Sequence, residues 1–192
     1  DSLPTPLVAV SYRAANLTDL PLECLFPRHS YHTLRCLDLS FNGLSFINAD
    51  LYLLPNLRVL SLRGNLLTSL SGIENNIGLE QLDVAGNFLQ TAEFLEYMQN
   101  LQVLDISYNQ IETTAGLRML SMNKFLTILN VEGNPAELRN GTELRLTITT
   151  LLKESLKIYN HETSTLYRFK KRIEKREAKL NHIRKNLQPS LP

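Results

Sequence analysis

Apolar and polar positions along the chain follow one arrangement written six times. It is L-x-x-L-x-L-x-x-N-x-L, starting at Leu7, Leu34, Leu57, Leu79, Leu101 and Leu126, at spacings of 27, 23, 22, 22 and 25 residues. In each copy the fourth and sixth positions are apolar and the fifth is polar, the alternation of a short strand with one buried face. One such strand cannot bury its face alone, so the copies must stack into a parallel sheet. Asn42, Asn65, Asn87, Asn109 and Asn134 hold the ninth position, with Ala15 in the first copy. An asparagine where the strand turns away can satisfy backbone groups that the turn leaves unpaired, so stacked copies predict an asparagine ladder. After each asparagine the apolar interval lengthens to about three: Leu67, Leu70, Ile73; then Leu89, Ala92, Leu95, Met98; then Ile111, Leu117, Leu120. That interval predicts short helical or 3-10 returns, with a fuller helical turn near 113–123.

The strings "LDLSFNGL" at 37, "LSLRGNLL" at 60, "LDVAGNFL" at 82 and "LDISYNQI" at 104 resemble leucine-rich repeats. The 22-residue spacing is similar to that of the subfamily named after a regulatory subunit of type-1 protein phosphatase. The resemblance covers residues 7 to 160. After Asn134-Pro135, "ELRLTITTLLKESLKIYN" is similar to the helical cap of that subfamily, on the strength of Arg145 and Tyr159-Asn160. It implies an α/β solenoid: a curved parallel sheet with short convex returns, to which the sequence adds a C-terminal α-helix. It also implies a non-catalytic, protein-binding scaffold, with phosphatase regulation or assembly at cilia, centrosomes and cytoskeletal structures as family roles. The cysteine-cluster caps usual in extracellular relatives are absent, which favours a cytoplasmic setting, and repeats of this length followed by a helical segment look most like the cytoskeletal group.

In a stack of this kind the second, third, fifth, seventh and eighth positions are expected to face outward. Charge is sorted there along the stack. The first three copies present Arg13, Arg35, Arg58 and Arg63 with Asp38; the last three present Glu80, Asp83, Asp105 and Glu132. Phe41 and Tyr108 sit beside the asparagines as candidate anchors. The expected partner-binding set is Arg35, Asp38, Phe41, Arg58, Arg63, Glu80, Asp83, Asp105, Tyr108 and Glu132, forming a bipolar groove that orients a partner by charge.

Composition divides the chain in two. Residues 1–150 hold 9 Lys/Arg against 15 Asp/Glu, whereas residues 151–192 hold 11 against 4. The predicted boundary lies at 160, with the repeats and cap in 1–160 and a basic amphipathic helix in 161–192. The helix contact seam is Leu166, Phe169, Ile173, Arg176, Leu180, Ile183 and Leu187, at heptad-like intervals. Mostly like charges flank it, which disfavours an isolated homodimer. Its expected partners are an acidic protein surface, the chain's own repeats or another coiled-coil strand, with a membrane surface as a further alternative.

Chemistry changes the picture little. Cys24, His29, His32 and Cys36 are zinc-ligand types within 13 residues, but C-x4-H-x2-H-x3-C is not a usual structural-zinc spacing. Two cysteines are too few for a disulfide framework and fit a reducing compartment. The sequons at Asn16 and Asn140 point weakly the other way. No phosphate-binding glycine loop or nucleophile motif is present, and the expectation is no enzyme activity and no cofactor. No apolar run reaches membrane-spanning length. The basic helix leaves a nucleic-acid adaptor as an alternative to the scaffold, although the acidic body opposes it.

Overall fold

A computed structural model describes residues 8–20, 22–25, 27–152, 156 and 158–159. The predicted helix 161–192 and its seam from Leu166 to Leu187 lie outside the described residues.

Each of the six copies forms a three-residue strand at its third to fifth positions: β1 Ala9–Ser11, β2 Cys36–Asp38, β3 Val59–Ser61, β4 Gln81–Asp83, β5 Val103–Asp105 and β6 Ile128–Asn130. All pair in parallel and in sequence order, with equivalent positions facing each other. The in-register pairing follows from the pattern, because a slip of one residue would turn every fourth-position leucine outward. The leucines at 37, 60, 82, 104 and 129 and the sixth-position residues Leu39, Leu62, Val84, Ile106 and Val131 are buried together. Each contributes roughly 2 kcal/mol of apolar burial.

The sequence did not foreshadow one strand. β7 (Ile158–Tyr159) pairs with β6 and extends the sheet beyond the last repeat. Tyr159 was expected to end a helical cap and is in a strand instead. Two residues are too short a run to show a strand period. The preceding helix, α2 (Pro135–Leu151), starts directly after Asn134, with proline in the first turn where its missing N–H costs nothing. It breaks at Asn140, whose backbone leaves the helical region (φ −155°, ψ 75°). Asn140 Oδ1 accepts from the Glu143 N–H (3.2 Å), and its Nδ2 donates to Glu143 Oε2 (3.0 Å). This reciprocal cap starts the second part of the helix, which buries Leu144 and Ile148 against the core.

The returns form the opposite side of each coil. Ala49–Leu53, Leu95–Tyr97 and Thr114–Met122 are 3-10 turns, the last on the stretch expected to be most helical. Every return residue of the three-residue apolar interval is buried. Near the amino end, α1 (Leu22–Leu25) is tied to the first coil by the Tyr12 hydroxyl, which donates to the Leu25 carbonyl. Burial pushes the Tyr12 pKa up, consistent with a neutral phenol as donor.

The asparagine ladder forms as the spacing predicted. Asn87 Nδ2 donates to the carbonyls of Leu62 (3.0 Å) and Val84 (2.9 Å), while its Oδ1 accepts from the Leu67 N–H (3.0 Å). Asn65 repeats this geometry one coil before, and Asn109 and Asn134 repeat it one and two coils after. Asn42 bridges to the first copy, accepting from the N–H groups of Ala15 and Leu17, so Ala15 needs no amide of its own. A second set, Asn76 and Asn123, holds the returns. Asn76 Nδ2 donates to Leu51 O (2.9 Å), and Asn123 Nδ2 donates to Leu95 O (2.7 Å) and Met98 O (2.9 Å). The sequence pattern missed this set because other coils put Leu54 and Met98 at the same place.

Candidate functional site: the concave strand face

The strand face opposite the core carries the residues expected to bind a partner. The structure sets Asp38, Asp83 and Asp105 in strands of one sheet and the others in the residues that flank those strands, and it changes the role of several. Asp105 was expected to face outward and is buried (5% exposed), as are the seventh-position residues Ser40, Ala85 and Ser107. The cause is local. Asp105 Oδ1 accepts from the N–H of Ser107 (3.0 Å) and from its hydroxyl (2.5 Å). Asp38 makes the same pair of bonds to Ser40, Asp83 accepts from Ala85 N, and Asn130 accepts from Glu132 N. A fifth-position carboxylate or amide thus closes an Asx turn at the strand end, satisfying an N–H that the ladder leaves over. These acids serve the fold before they serve a partner.

The arginines are engaged as well. Arg58 Nε lies 3.6 Å from Glu80, its NH1 donates to Leu57 O (3.2 Å), and its guanidinium lies over Gly78. Arg63 NH1 reaches two repeats, 3.5 Å from Asp83 and 3.3 Å from Asp105. The charges read as a bipolar groove therefore neutralise each other across its middle. The signal was present in the sequence: Arg58 and Glu80 are 22 residues apart, both at the second position, and so face each other on adjacent strands. Reversing Arg63 to Glu would put a third carboxylate beside Asp83 and Asp105. We expect a loss of about 1–2 kcal/mol in urea unfolding, since one partner is buried and the pair only partly screened.

What remains for a partner lies toward the two ends and along one edge. Arg35 is exposed and Glu132 half-buried, and neither forms an ion pair among the described residues. Phe41 and Tyr108 are 44% and 55% exposed. The Arg13 guanidinium stacks on the Phe41 ring, 4.4 Å from its centroid. Both aromatics have left-handed backbones (φ 57° and 53°).

No disulfide joins Cys24 and Cys36, and Cys24, His29 and His32 are exposed. Among the described residues no three His, Cys, Asp or Glu side chains converge as metal ligands, and no helix there is long and apolar enough to cross a membrane.

A short strand, an asparagine-closed turn and a compact return in each coil define a leucine-rich repeat solenoid. A family model described as Leucine Rich repeats (2 copies) matches residues 55–97, and one described as Leucine Rich repeat matches 32–45 and 97–120. No curated protein sequence matches the chain. Among solved structures, a leucine-rich repeat protein of Leptospira interrogans is similar with a TM-score of 0.57 and 19% identity, covering 73% of this chain and 40% of that one. An internalin of Listeria monocytogenes has a TM-score of 0.56 and 19% identity, with 66% and 34% covered. The leucine-rich repeat domain of APL1B has a TM-score of 0.52 and 20% identity, with 66% and 38% covered. The chain thus spans less than half the length of each, and at such identities the likeness is one of fold. Together the matches support the leucine-rich repeat family, whose members typically serve as protein-binding scaffolds and are generally non-catalytic.

Proposed function

We propose that this chain is a non-catalytic scaffold that docks a partner protein on its concave strand face. The observation that carries the reading is that the strand face bears large and charged side chains that the core does not use. The core side is saturated with buried leucines, whereas the concave side keeps Arg35, Glu132, Phe41 and Tyr108 without any burial need of the fold. Exposed aromatics beside unpaired charge are the usual composition of a binding centre. The 22-residue spacing supports a cytoplasmic role in cytoskeletal, ciliary or centrosomal assembly. The same spacing supports a second reading, a regulatory subunit of a protein phosphatase. A nucleic-acid adaptor would instead work through the basic residues 161–192, and its binding would fall steeply with salt.

Because Arg58 and Arg63 are tied to their neighbours, the variant that tests docking must avoid them. Arg35→Glu combined with Glu132→Lys should leave the unfolding midpoint unchanged and remove a set of proteins captured from lysate by the wild-type chain. A phosphatase in that set decides for the second reading. An unchanged set, with capture dependent only on residues 161–192, would contradict concave docking.

A further inference from the structure

We propose that the edge of the concave face at Tyr108 is a docking notch for a protein segment that places an arginine on the Tyr108 ring and an adjoining apolar side chain on Leu66 and Phe88. This deepens the concave-docking reading and rests on it.

The eighth position of every repeat has a left-handed backbone: Ala14 φ 52°, Phe41 57°, Gly64 65°, Gly86 66°, Tyr108 53° and Gly133 73°. Three of the six are glycine, the residue that this conformation favours. A large aromatic there costs on the order of 1 kcal/mol or more. Phe41 and Tyr108 accept that strain while remaining about half exposed. Strain that leaves a large ring in solvent points to a use outside the fold.

Each ring leans toward the following repeat. A Cβ on Gly64 would lie 2.8 Å from Phe41 Cδ1, and one on Gly133 would lie 2.5 Å from Tyr108 Cδ1. Glycine at both places is therefore what lets the rings lie down. The glycine before Tyr108 has no such cover: a Cβ on Gly86 would meet only Gly64 backbone atoms, at 3.7 and 3.8 Å. With strands roughly 4.8 Å apart, Phe41 and Tyr108 stand about 14 Å from each other across this glycine floor. Leu66 (49% exposed) and Phe88 (43% exposed) follow Gly64 and Gly86 by two residues, at the tenth position where other repeats carry Asn16, Gly43, Gln110 and Pro135.

The chain itself shows which ligand chemistry suits such a ring. Arg13, at the seventh position of the repeat before Phe41, stacks on Phe41. The residue that stands in the same relation to Tyr108 is Ala85, which supplies no cation. An acid to hold one is close at hand. Asp83 and Asp105 share the single guanidinium of Arg63. Glu132 follows Tyr108 in the ladder, its carbonyl accepting the Tyr108 N–H at 2.7 Å. Asp83 and Asp105 are engaged by Arg63 and by their own turns, so Glu132, which forms no ion pair among the described residues, is the carboxylate placed to hold a guanidinium on the aromatic face.

The test uses the full chain and a phage-displayed library of random twelve-residue peptides, followed by titration calorimetry with a synthetic peptide of the selected sequence. Selected peptides should share an arginine next to a large apolar residue. Tyr108→Gly should weaken the peptide at least tenfold without lowering the unfolding midpoint, because glycine suits the left-handed backbone. Phe88→Ala, at an exposed tenth position, should weaken it severalfold by removing the apolar contact. Peptides without arginine, or with unchanged affinity for both variants, would overturn the notch. Loss of binding in the Arg35→Glu/Glu132→Lys chain but not in Tyr108→Gly would overturn it while leaving concave docking in place. Dimerisation abolished by Tyr108→Gly would assign the notch to a second copy and overturn a separate partner.

Discussion

Asn109→Ala should destabilise the protein by about 3 kcal/mol, measured as a shift of the urea unfolding curve at unchanged slope. The asparagine is buried, and its Nδ2 donates to the carbonyls of Val84 and Ile106, both at 3.0 Å. Its Oδ1 accepts from the Leu89 N–H at 3.0 Å. Alanine leaves these three backbone groups without partners in a space that excludes water, and each loss costs roughly 1 kcal/mol or more. Because two of them belong to the preceding repeat, the substitution weakens an interface between coils as well as a single turn. Asn109→Asp should fare no better, since a carboxylate can accept the Leu89 N–H but faces two carbonyls. Asn42→Ala should cost less, because Asn42 is only half-buried and serves the outermost described coil. Equal losses at the two positions would contradict the burial argument.

Gly72→Ala should cost a similar amount, about 3 kcal/mol, for a different reason. Gly72 has φ +105°, a region that other residues avoid at a cost of 1 kcal/mol or more. A Cβ there would also collide with the backbone carbonyl oxygen of Ile47, in the return of the preceding coil, with Ile47 C at 3.1 Å. Backbone cannot rotate away as a side chain can, so the two coils must separate, at an overpacking cost of about 1–3 kcal/mol. Gly141→Ala is the matched control. It lies in the helix, its Cβ would have only Glu137 Cγ nearby at 3.8 Å, and its φ is not positive. That variant should gain about 0.5–1 kcal/mol. A neutral Gly72→Ala would mean that the returns are not in contact as described.

These two positions also show where sequence reasoning reaches and where it stops. Asn109 was legible because its place recurs in five copies and only one residue type fills it, so strand, turn and ladder followed from counting. Gly72 was not legible as a contact, since the same place in the next coil is taken by Phe94, itself at φ 73°. Return geometry varies with the 22-to-27-residue spacing, and no fixed residue marks it. The site was read less well than the fold for a related reason. Asp83 and Asp105 stand at the fifth positions that the pattern marks, but their use as turn acceptors, and with it the burial of Asp105, required noticing that a serine or alanine N–H follows two positions later. The pairing of Arg63 with both acids crosses two repeats, so no single copy displays it. The strain at Phe41 and Tyr108 could have been found by aligning them with Gly64, Gly86 and Gly133 in one column.

The central claim is that partners meet the strand side of the coil. Site-specific photo-crosslinking in cell lysate tests it most directly, with a photoreactive phenylalanine placed at Arg35 or Gln102 on the strand side and at Tyr97 or Met119 on the returns. All four positions are exposed, so none should disturb the core. Discrete protein adducts are expected from Arg35 and Gln102 and none from Tyr97 and Met119. Adducts from the return positions alone would show that the convex side is the docking surface and would contradict the claim.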